Sequence, residues 1–412
     1  MRAVLAVALL AGLLYAVVTP PDRVPDEYGH FLRAVAIAEG NVFPRVGLRS
    51  PGHHFPAGIW MFGHQLFKGD MRAAYAEPLN REKRAGIEFP AWYSPVPYAI
   101  PAAVAFVGLH ADLRPFWIFY LGRIANLLAC LGIAWLALRA IPKRAAVAAA
   151  VLLLPMTLYE LASWSADAMT ISVALLLTCL IVRNMEAEGS MGAMAAVAFV
   201  LGLCKPVYFL LALPALAIRR RTGIVVIAAM LLGTLLAAAS ARSGQYNPRP
   251  ELPVDPGQQL RCVLDDPLRF AGIFLGDMRV HGRFYLEETV GRLGLMDVKL
   301  PVVLIVAEWL LLLWVALSSG VRWRMPARLG ALAACALTIG GISLAQYLIW
   351  SVICGDTIEG VQGRYYLPLL PLLLFALSLR PCERGPSLIP VAVAGMIANG
   401  VALAVLYDHY WR

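Results

Sequence analysis

Asp26 and Glu27, in the run Pro20-Pro21-Asp22-Arg23-Val24-Pro25-Asp26-Glu27-Tyr28-Gly29-His30, follow directly on an apolar segment that begins at the N-terminus. Adjacent carboxylates with an imidazole nearby suit acid–base chemistry: one takes a proton from a substrate hydroxyl while a neighbour orients it or binds the substrate. Cations able to meet an oxyanion stand elsewhere in the chain: Lys205 in Leu-Gly-Leu-Cys-Lys-Pro-Val-Tyr, Arg364 in Gln362-Gly363-Arg364-Tyr365-Tyr366, and Arg123 in Leu-Gly-Arg-Ile-Ala-Asn. Asp167 closes the run Ser163-Trp164-Ser165-Ala166-Asp167, and Tyr93, Trp60, Trp92 and Trp164 offer aromatic faces.

Each group also has a plain structural reading. Asp26 follows a proline and precedes a helix-like stretch from Glu27 to Glu39, so it serves equally well as an N-cap. Asp167 at the start of an apolar run is placed to cap that run. Lys205 is placed to snorkel to a membrane interface, Arg123 to pair with a loop carboxylate, and the tyrosines and tryptophans to anchor at an interface.

The elements that must position these residues are membrane helices. Of the 412 residues 60% are hydrophobic and 15% charged, and the mean hydropathy is +0.69, far more apolar sequence than one soluble core can use. A bilayer core about 30 Å thick needs about 20 apolar residues per helix. Such runs lie near 3–19, 115–138, 145–160, 166–183, 191–204, 206–218, 223–241, 299–319, 327–353, 364–379 and 387–407. The fold class expected is therefore an all-α polytopic membrane protein with about 11 transmembrane helices, a single domain spanning 1–412.

Orientation follows from the basic residues of the short connections. Arg139, Lys143 and Arg144, then Arg183, then Arg219 to Arg221, then Arg322, Arg324 and Arg328, then Arg380 and Arg384 all fall inside if the N-terminus is cytoplasmic. This requires that residues 97–110, about 21 Å of helix, lie at the interface or re-enter rather than span. Two long loops, 20–114 and 242–298, then face outward. The formal charge of +9 is partly displayed there, which suits phosphate-bearing substrates and anionic lipid head groups; no nucleic-acid partner is expected.

The first apolar segment lacks an Ala-x-Ala cleavage site before Pro20-Pro21 and reads as an uncleaved anchor. The seven cysteines form no CxxC pair; Cys130, Cys179, Cys204 and Cys335 fall in expected spans, and Cys262 and Cys354 both fall outside, where they are free to bridge. The sequence has no Walker loop, dinucleotide fingerprint, HExxH motif or internal repeat, which argues against ATP-driven chemistry.

The order of Pro25-Asp26-Glu27-Tyr28-Gly29-His30, Tyr93-Ser94-Pro95-Val96-Pro97-Tyr98, Gly122-Arg123, Leu154-Pro155-Met156, Ser163 to Asp167, Lys205-Pro206-Val207-Tyr208, Val290-Gly291-Arg292-Leu293-Gly294 and Gln362-Gly363-Arg364-Tyr365 resembles the bacterial membrane family called domain of unknown function 2142. That family is in turn similar to the GT-C glycosyltransferases, which carry an acidic motif in the first outward loop, a proline-rich juxtamembrane helix and an outward lysine before an apolar run. Asp26-Glu27, residues 95–110 and Lys205 correspond. The chain lacks the large soluble C-terminal domain of many GT-C enzymes, which leaves acceptor recognition to the two long loops.

The resemblance implies an inner-membrane enzyme with its site facing the periplasm or exterior. It would move a sugar from a polyprenyl-phosphate donor to an envelope glycan or lipid-linked acceptor with inversion. Asp26 is then the general base with Glu27 beside it, and Lys205, Arg364 and Arg123 meet the donor phosphate. His30, Asp167, Tyr93, Trp164, Tyr208, Gln362 and Tyr365 line the sugar and acceptor sites. No cofactor is obligatory and no metal site is assigned, although the Asp26-Glu27 pair could hold a divalent cation. A ligase or polymerase using a diphosphate-linked glycan, a carrier that flips a lipid-linked sugar, and a non-catalytic assembly subunit remain as alternatives.

Overall fold

In the computed structural model, residues 1–43, 53–87, 93–186, 189–240, 252–379 and 383–412 are described. Trp92, Arg380 and Cys382 lie outside these residues. The chain begins with α1 (Arg2–Val18), an apolar helix that stops before the Pro20-Pro21 pair, where two missing N–H groups prevent its continuation. The first long connection carries α2 (Glu27–Ala38) and a pair of antiparallel strands, β1 (His53–Pro56) and β2 (Arg84–Ile87), with His53 opposite Ile87. Between the strands stand α3 (Ala57–Phe67) and α4 (Met71–Ala76). A 3-10 turn, Val96–Tyr98, leads into α5 (Ala99–His110), which packs on α2 and on α6 (Pro115–Ala140).

The middle of the chain forms the centre of the bundle. α7 (Ala145–Leu153), α8 (Pro155–Leu161) and the first ten residues of α9 (Ala166–Glu186) are buried on every side. A helix apolar all round has no solvent face to present, and the alanine-rich start of α7 lets neighbours approach closely. α10 (Met191–Cys204) and α11 (Arg220–Ser240) flank a 3-10 stretch, Pro206–Ala217. The second long connection contributes α12 (Pro256–Asp265) and α13 (Pro267–Gly291), then a short antiparallel pair, β3 (Arg292–Leu293) with β4 (Val298–Lys299). α14 (Val302–Leu317), α15 (Met325–Trp350), the 3-10 turn Gly363–Tyr366, α16 (Leu370–Ala376) and α17 (Leu388–Trp411) complete the order.

The protein is thus an almost wholly helical membrane protein. Among the described residues, five helices, α6, α9, α11, α15 and α17, are long and apolar enough to cross a bilayer. α1, α10, α14 and the segments 96–110 and 206–217 are apolar but shorter. Three of the expected continuous spans are interrupted by prolines. Pro155 divides 145–160 into α7 and α8, Pro206 and Pro214 hold 206–217 in a 3-10 rather than an α conformation, and Pro368 interrupts 364–379 before α16, whose first turn holds Pro371. A disulfide joins Cys262 on α12 to Cys354 after α15, while Cys130, Cys179, Cys204 and Cys335 are free and buried.

Candidate functional site

Asp26 stands on a left-handed backbone, φ 64°, a conformation that costs most L-residues free energy and that Asp and Asn tolerate best. The following helix does not use it as a cap. Asp22, also left-handed at φ 62°, does that work: the Tyr28 backbone N–H donates to Asp22 Oδ1 at 3.2 Å. The Asp26 carboxylate is thereby free, half-exposed, and accepts from Arg364 Nη2 at 2.8 Å.

Arg364 itself is 3% exposed. It is held by the turn Gly363–Tyr366, which docks against the C-terminal half of α13. The Gly363 N–H donates to Glu288 Oε2 at 2.6 Å and the Thr289 hydroxyl donates to the Gly363 carbonyl at 3.0 Å. A Cβ on residue 363 would lie 2.2 Å from the Tyr285 carbonyl oxygen, so the close approach requires glycine. Behind the turn, the Tyr208 hydroxyl donates to the Tyr365 carbonyl at 2.9 Å. Arg364 Nη1 reaches the Pro25 carbonyl and Glu160 Oε1, each at 3.3 Å.

A second cation completes the network. Pro206 ends α10 at Lys205, whose ammonium pairs with Asp167 Oδ1 and lies 5.1 Å from the centre of the Tyr93 ring and 4.8 Å from that of Tyr365. Asp167 does not cap α9; its own N–H donates to Ser165 Oγ at 3.1 Å, and its second oxygen faces Arg364 Nε at 3.7 Å. Asp167 therefore bridges the two cations. His30 joins from α2, its Nδ1 2.7 Å from the Tyr98 hydroxyl and its ring 5.8 Å from that of Tyr93. Burial is the main cause that pushes the imidazole down to about 4, with Asp26 pulling the other way and Arg364 adding to the fall, so His30 is neutral at pH 7.

The structure sets Glu27 and Arg123 apart from this network. Both side chains are completely buried, with Arg123 Nε to Glu27 Oε1 at 2.7 Å and Nη2 to Oε2 at 2.6 Å. The remaining N–H groups of Arg123 donate to the carbonyls of Ala16, Thr19 and Pro20. All five guanidinium donors are used, so the pair ties the end of α1 and the start of α2 to α6 and leaves neither group for a substrate phosphate, hydroxyl or divalent cation. Trp164 is likewise removed from sugar stacking. Its indole is buried against Phe31 and Phe119, donates to the Phe119 carbonyl at 2.8 Å, and occupies the space opposite Gly122, where a Cβ would sit 1.9 Å from the ring. Trp60 stacks on His64 on an exposed side of α3.

Two carboxylates enter that sequence reasoning passed over. Glu160, fully buried, faces Arg364; its one signal was an ionisable residue inside an apolar run, Leu158-Tyr159-Glu160-Leu161. Glu288 had no signal, because its partner is a backbone N–H 75 residues away. Burial raises the Glu288 carboxyl to about 7, with the Gly363 N–H opposing that rise. Among the described residues, several buried polar atoms here lack a hydrogen-bond partner: Arg364 Nε, whose nearest acceptor is Asp167 Oδ2 at 3.7 Å, Glu160 Oε2, Gln362 Oε1 and the Tyr366 hydroxyl. Buried polar groups are rarely left so, and the open Nε of Arg364 beside Glu160 is a place where a polar ligand would find a donor.

Chemically, the site offers one reachable carboxylate, Asp26, beside two buried cations, with Tyr93 and Tyr365 as aromatic walls. Among the described residues, no group of three or more His, Cys, Asp or Glu is arranged to hold a metal ion. No curated protein and no solved structure matches the chain. The family described as "predicted membrane protein (DUF2142)" matches residues 9–373, which include every residue of the network, and the chain belongs to that family.

Proposed function

We propose that this protein is an inverting membrane glycosyltransferase of GT-C type, which moves a sugar from a polyprenyl-phosphate donor to a glycan or lipid-linked acceptor at the outer face of the bacterial inner membrane. The chain crosses eleven times with its N-terminus in the cytoplasm. The observation that carries the reading is Asp26: a half-exposed carboxylate on a left-handed backbone, released from capping by Asp22 and set 2.8 Å from a buried arginine.

In this reaction Asp26 accepts the proton of the acceptor hydroxyl as that oxygen attacks the anomeric carbon. The bond from that carbon to the phosphate oxygen breaks, its electron pair leaves on the polyprenyl phosphate, and configuration inverts. Arg364 offers the unsatisfied Nε–H, and Lys205 the N–H groups not taken by Asp167, to the charge that develops on the phosphate. Tyr93 and Tyr365 frame the sugar. Charge balance favours a monophosphate donor over a diphosphate: among the described residues Asp26, Glu160 and Asp167 already pair with Lys205 and Arg364, and a diphosphate would bring further negative charge to the same two cations.

Asp26→Asn tests the reading cleanly, because asparagine also accepts the left-handed backbone and keeps an oxygen for Arg364. Envelope glycans of cells carrying wild type, Asp26→Asn or a deletion are compared by mass spectrometry, with membrane levels of the variant checked. Loss of the same sugar mass in the variant and the deletion is expected, since removing a general base typically costs about 10²–10⁴ in rate. A full wild-type profile from a normally inserted variant sinks the proposal.

A further inference from the structure

A second concave site lies at the opposite end of the bundle. A cleft of about 1130 Å³ opens between the end of α6, the start of α7, the end of α9 and the start of α10. Along α9 it is about 24 Å from Asp167 to Arg183, so the two sites do not share residues. Arg139, Lys143, Arg144, Arg183 and Arg322 line it against two acids, Glu186 and Glu383, an excess of three positive charges.

These cations differ in freedom. Arg144 is buried and fixed, with Nε on Glu186 at 2.6 Å and Nη1 on the Ser319 carbonyl at 2.9 Å. The Arg139 guanidinium lies 4.9 Å from the centre of the Trp135 ring. Lys143, Arg183 and Arg322 are exposed and make no ion pair among the described residues. Part of the lining is apolar: Leu136, Leu176, Leu180 and Val197, each one or two turns along its helix from a basic or polar end.

Basic residues that merely mark a membrane face decorate convex loops. Here they line a cavity together with leucine and valine side chains from the apolar stretches of α6, α9 and α10. A small anion would fill only a fraction of the volume, since sites for whole drug-sized ligands run to about 300–1,000 Å³. We infer that the cleft binds an anionic phospholipid, its phosphate held by Lys143, Arg183 and Arg322 and its acyl chains laid along Leu176, Leu180 and Val197. Basic pockets between helices recognise anionic head groups through this combination of charge and apolar wall.

The full-length protein, purified in nonionic detergent and delipidated, is titrated by native mass spectrometry with phosphatidylglycerol, with phosphatidylcholine of the same chains, and with inorganic phosphate. Wild type is compared with Arg183→Gln/Arg322→Gln, which spares Arg144 and changes only exposed side chains. Leu180→Trp, which fills the apolar wall, is the second variant. Phosphatidylglycerol is expected to bind wild type about 10- to 30-fold more tightly than the double glutamine variant, from about 1 kcal/mol for each basic residue at a membrane surface. Leu180→Trp should weaken the same binding, and phosphatidylcholine should not distinguish wild type from the double glutamine variant. Equal phosphatidylglycerol binding by wild type and both variants overturns the inference. So does displacement of the lipid by inorganic phosphate alone, which would assign the cleft to a soluble phosphate compound.

Discussion

Replacing Glu27 or Arg123 separates a structural clamp from a catalytic acid. In the folded protein the two side chains are wholly buried and meet through two hydrogen bonds of 2.7 and 2.6 Å. Glu27→Met leaves a guanidinium without its carboxylate partner in the bundle, and losing one member of a buried pair costs about 3–5 kcal/mol. Arg123→Met leaves the Glu27 carboxylate unpaired and also strips donors from the carbonyls of Ala16, Thr19 and Pro20, each worth about 1 kcal/mol. The double variant Glu27→Met/Arg123→Met removes both charges, so what remains is the loss of hydrogen bonds to those three carbonyls and from the N–H groups of Asp22 and Trp164, which donate to Glu27, about 5 kcal/mol in all. The double variant should therefore be less destabilised than the sum of the singles by several kcal/mol, measured as unfolding free energy of the purified protein in mixed detergent. Single variants that each lose under about 1 kcal/mol and add without coupling would refute the clamp. Loss of the glycan product at unchanged stability would return Glu27 to the catalytic machinery.

His30 gives a pH dependence with a definite sign. Its folded pKa, about 4, lies below the ordinary value of 6.5, so its stabilising contribution is full above pH 6.5 and is lost as pH falls toward 4. Over that window wild type should lose about 3 kcal/mol relative to His30→Gln, followed by thermal unfolding at each pH; parallel curves for the two proteins would refute the burial of a neutral imidazole. Gly363→Ala places a methyl against the Tyr285 carbonyl and should cost about 1–3 kcal/mol while displacing Arg364. Gly400→Ala on α17, where the added methyl meets nothing within 4 Å, should be neutral or stabilising by up to about 1 kcal/mol, so equal unfolding curves for the two alanine variants would refute the close approach at Gly363.

The helices were legible because a membrane imposes the same rule everywhere: long apolar runs with polar ends. The expected runs at 115–138, 166–183 and 191–204 lie within a few residues of α6, α9 and α10. Their interruptions were less so. Proline at 155, 206 and 214 announces a break, but whether the chain resumes as α-helix or winds into 3-10 turns depends on neighbours that supply or withhold packing. Within the site, Asp26, Asp167, Lys205 and Arg364 were visible as polar residues at helix ends, His30 as a neighbour of Asp26 and Tyr93 as an aromatic face, and the fold brings them into one network. Trp164 reads in the sequence as a sugar platform because a tryptophan offers a broad aromatic face. Its burial is decided by Gly122, 42 residues earlier, which no local pattern connects to it. Glu288 was beyond reach for the same reason, since its role is set by a backbone N–H on a distant turn.

The neighbouring acids Asp26 and Glu27 show why adjacency in sequence misleads about chemistry. A paired-carboxylate motif suggests two groups acting on one substrate, yet the left-handed turn at Asp26 sends the two side chains to different arginines. Glu27 begins the helix and points into the bundle, where Arg123 takes both its oxygens; Asp26 precedes the helix and stays half-exposed with one oxygen on Arg364. The first pairing sets the position of α2 against α1 and α6, and that position holds Asp26 at the edge of the buried cations. A rigid ion pair thus serves as the base plate for a reachable one, and the division depends on the backbone at a single residue. A substitution at position 26 that rejects positive φ would disturb both pairs at once, whereas asparagine keeps the turn and isolates the charge.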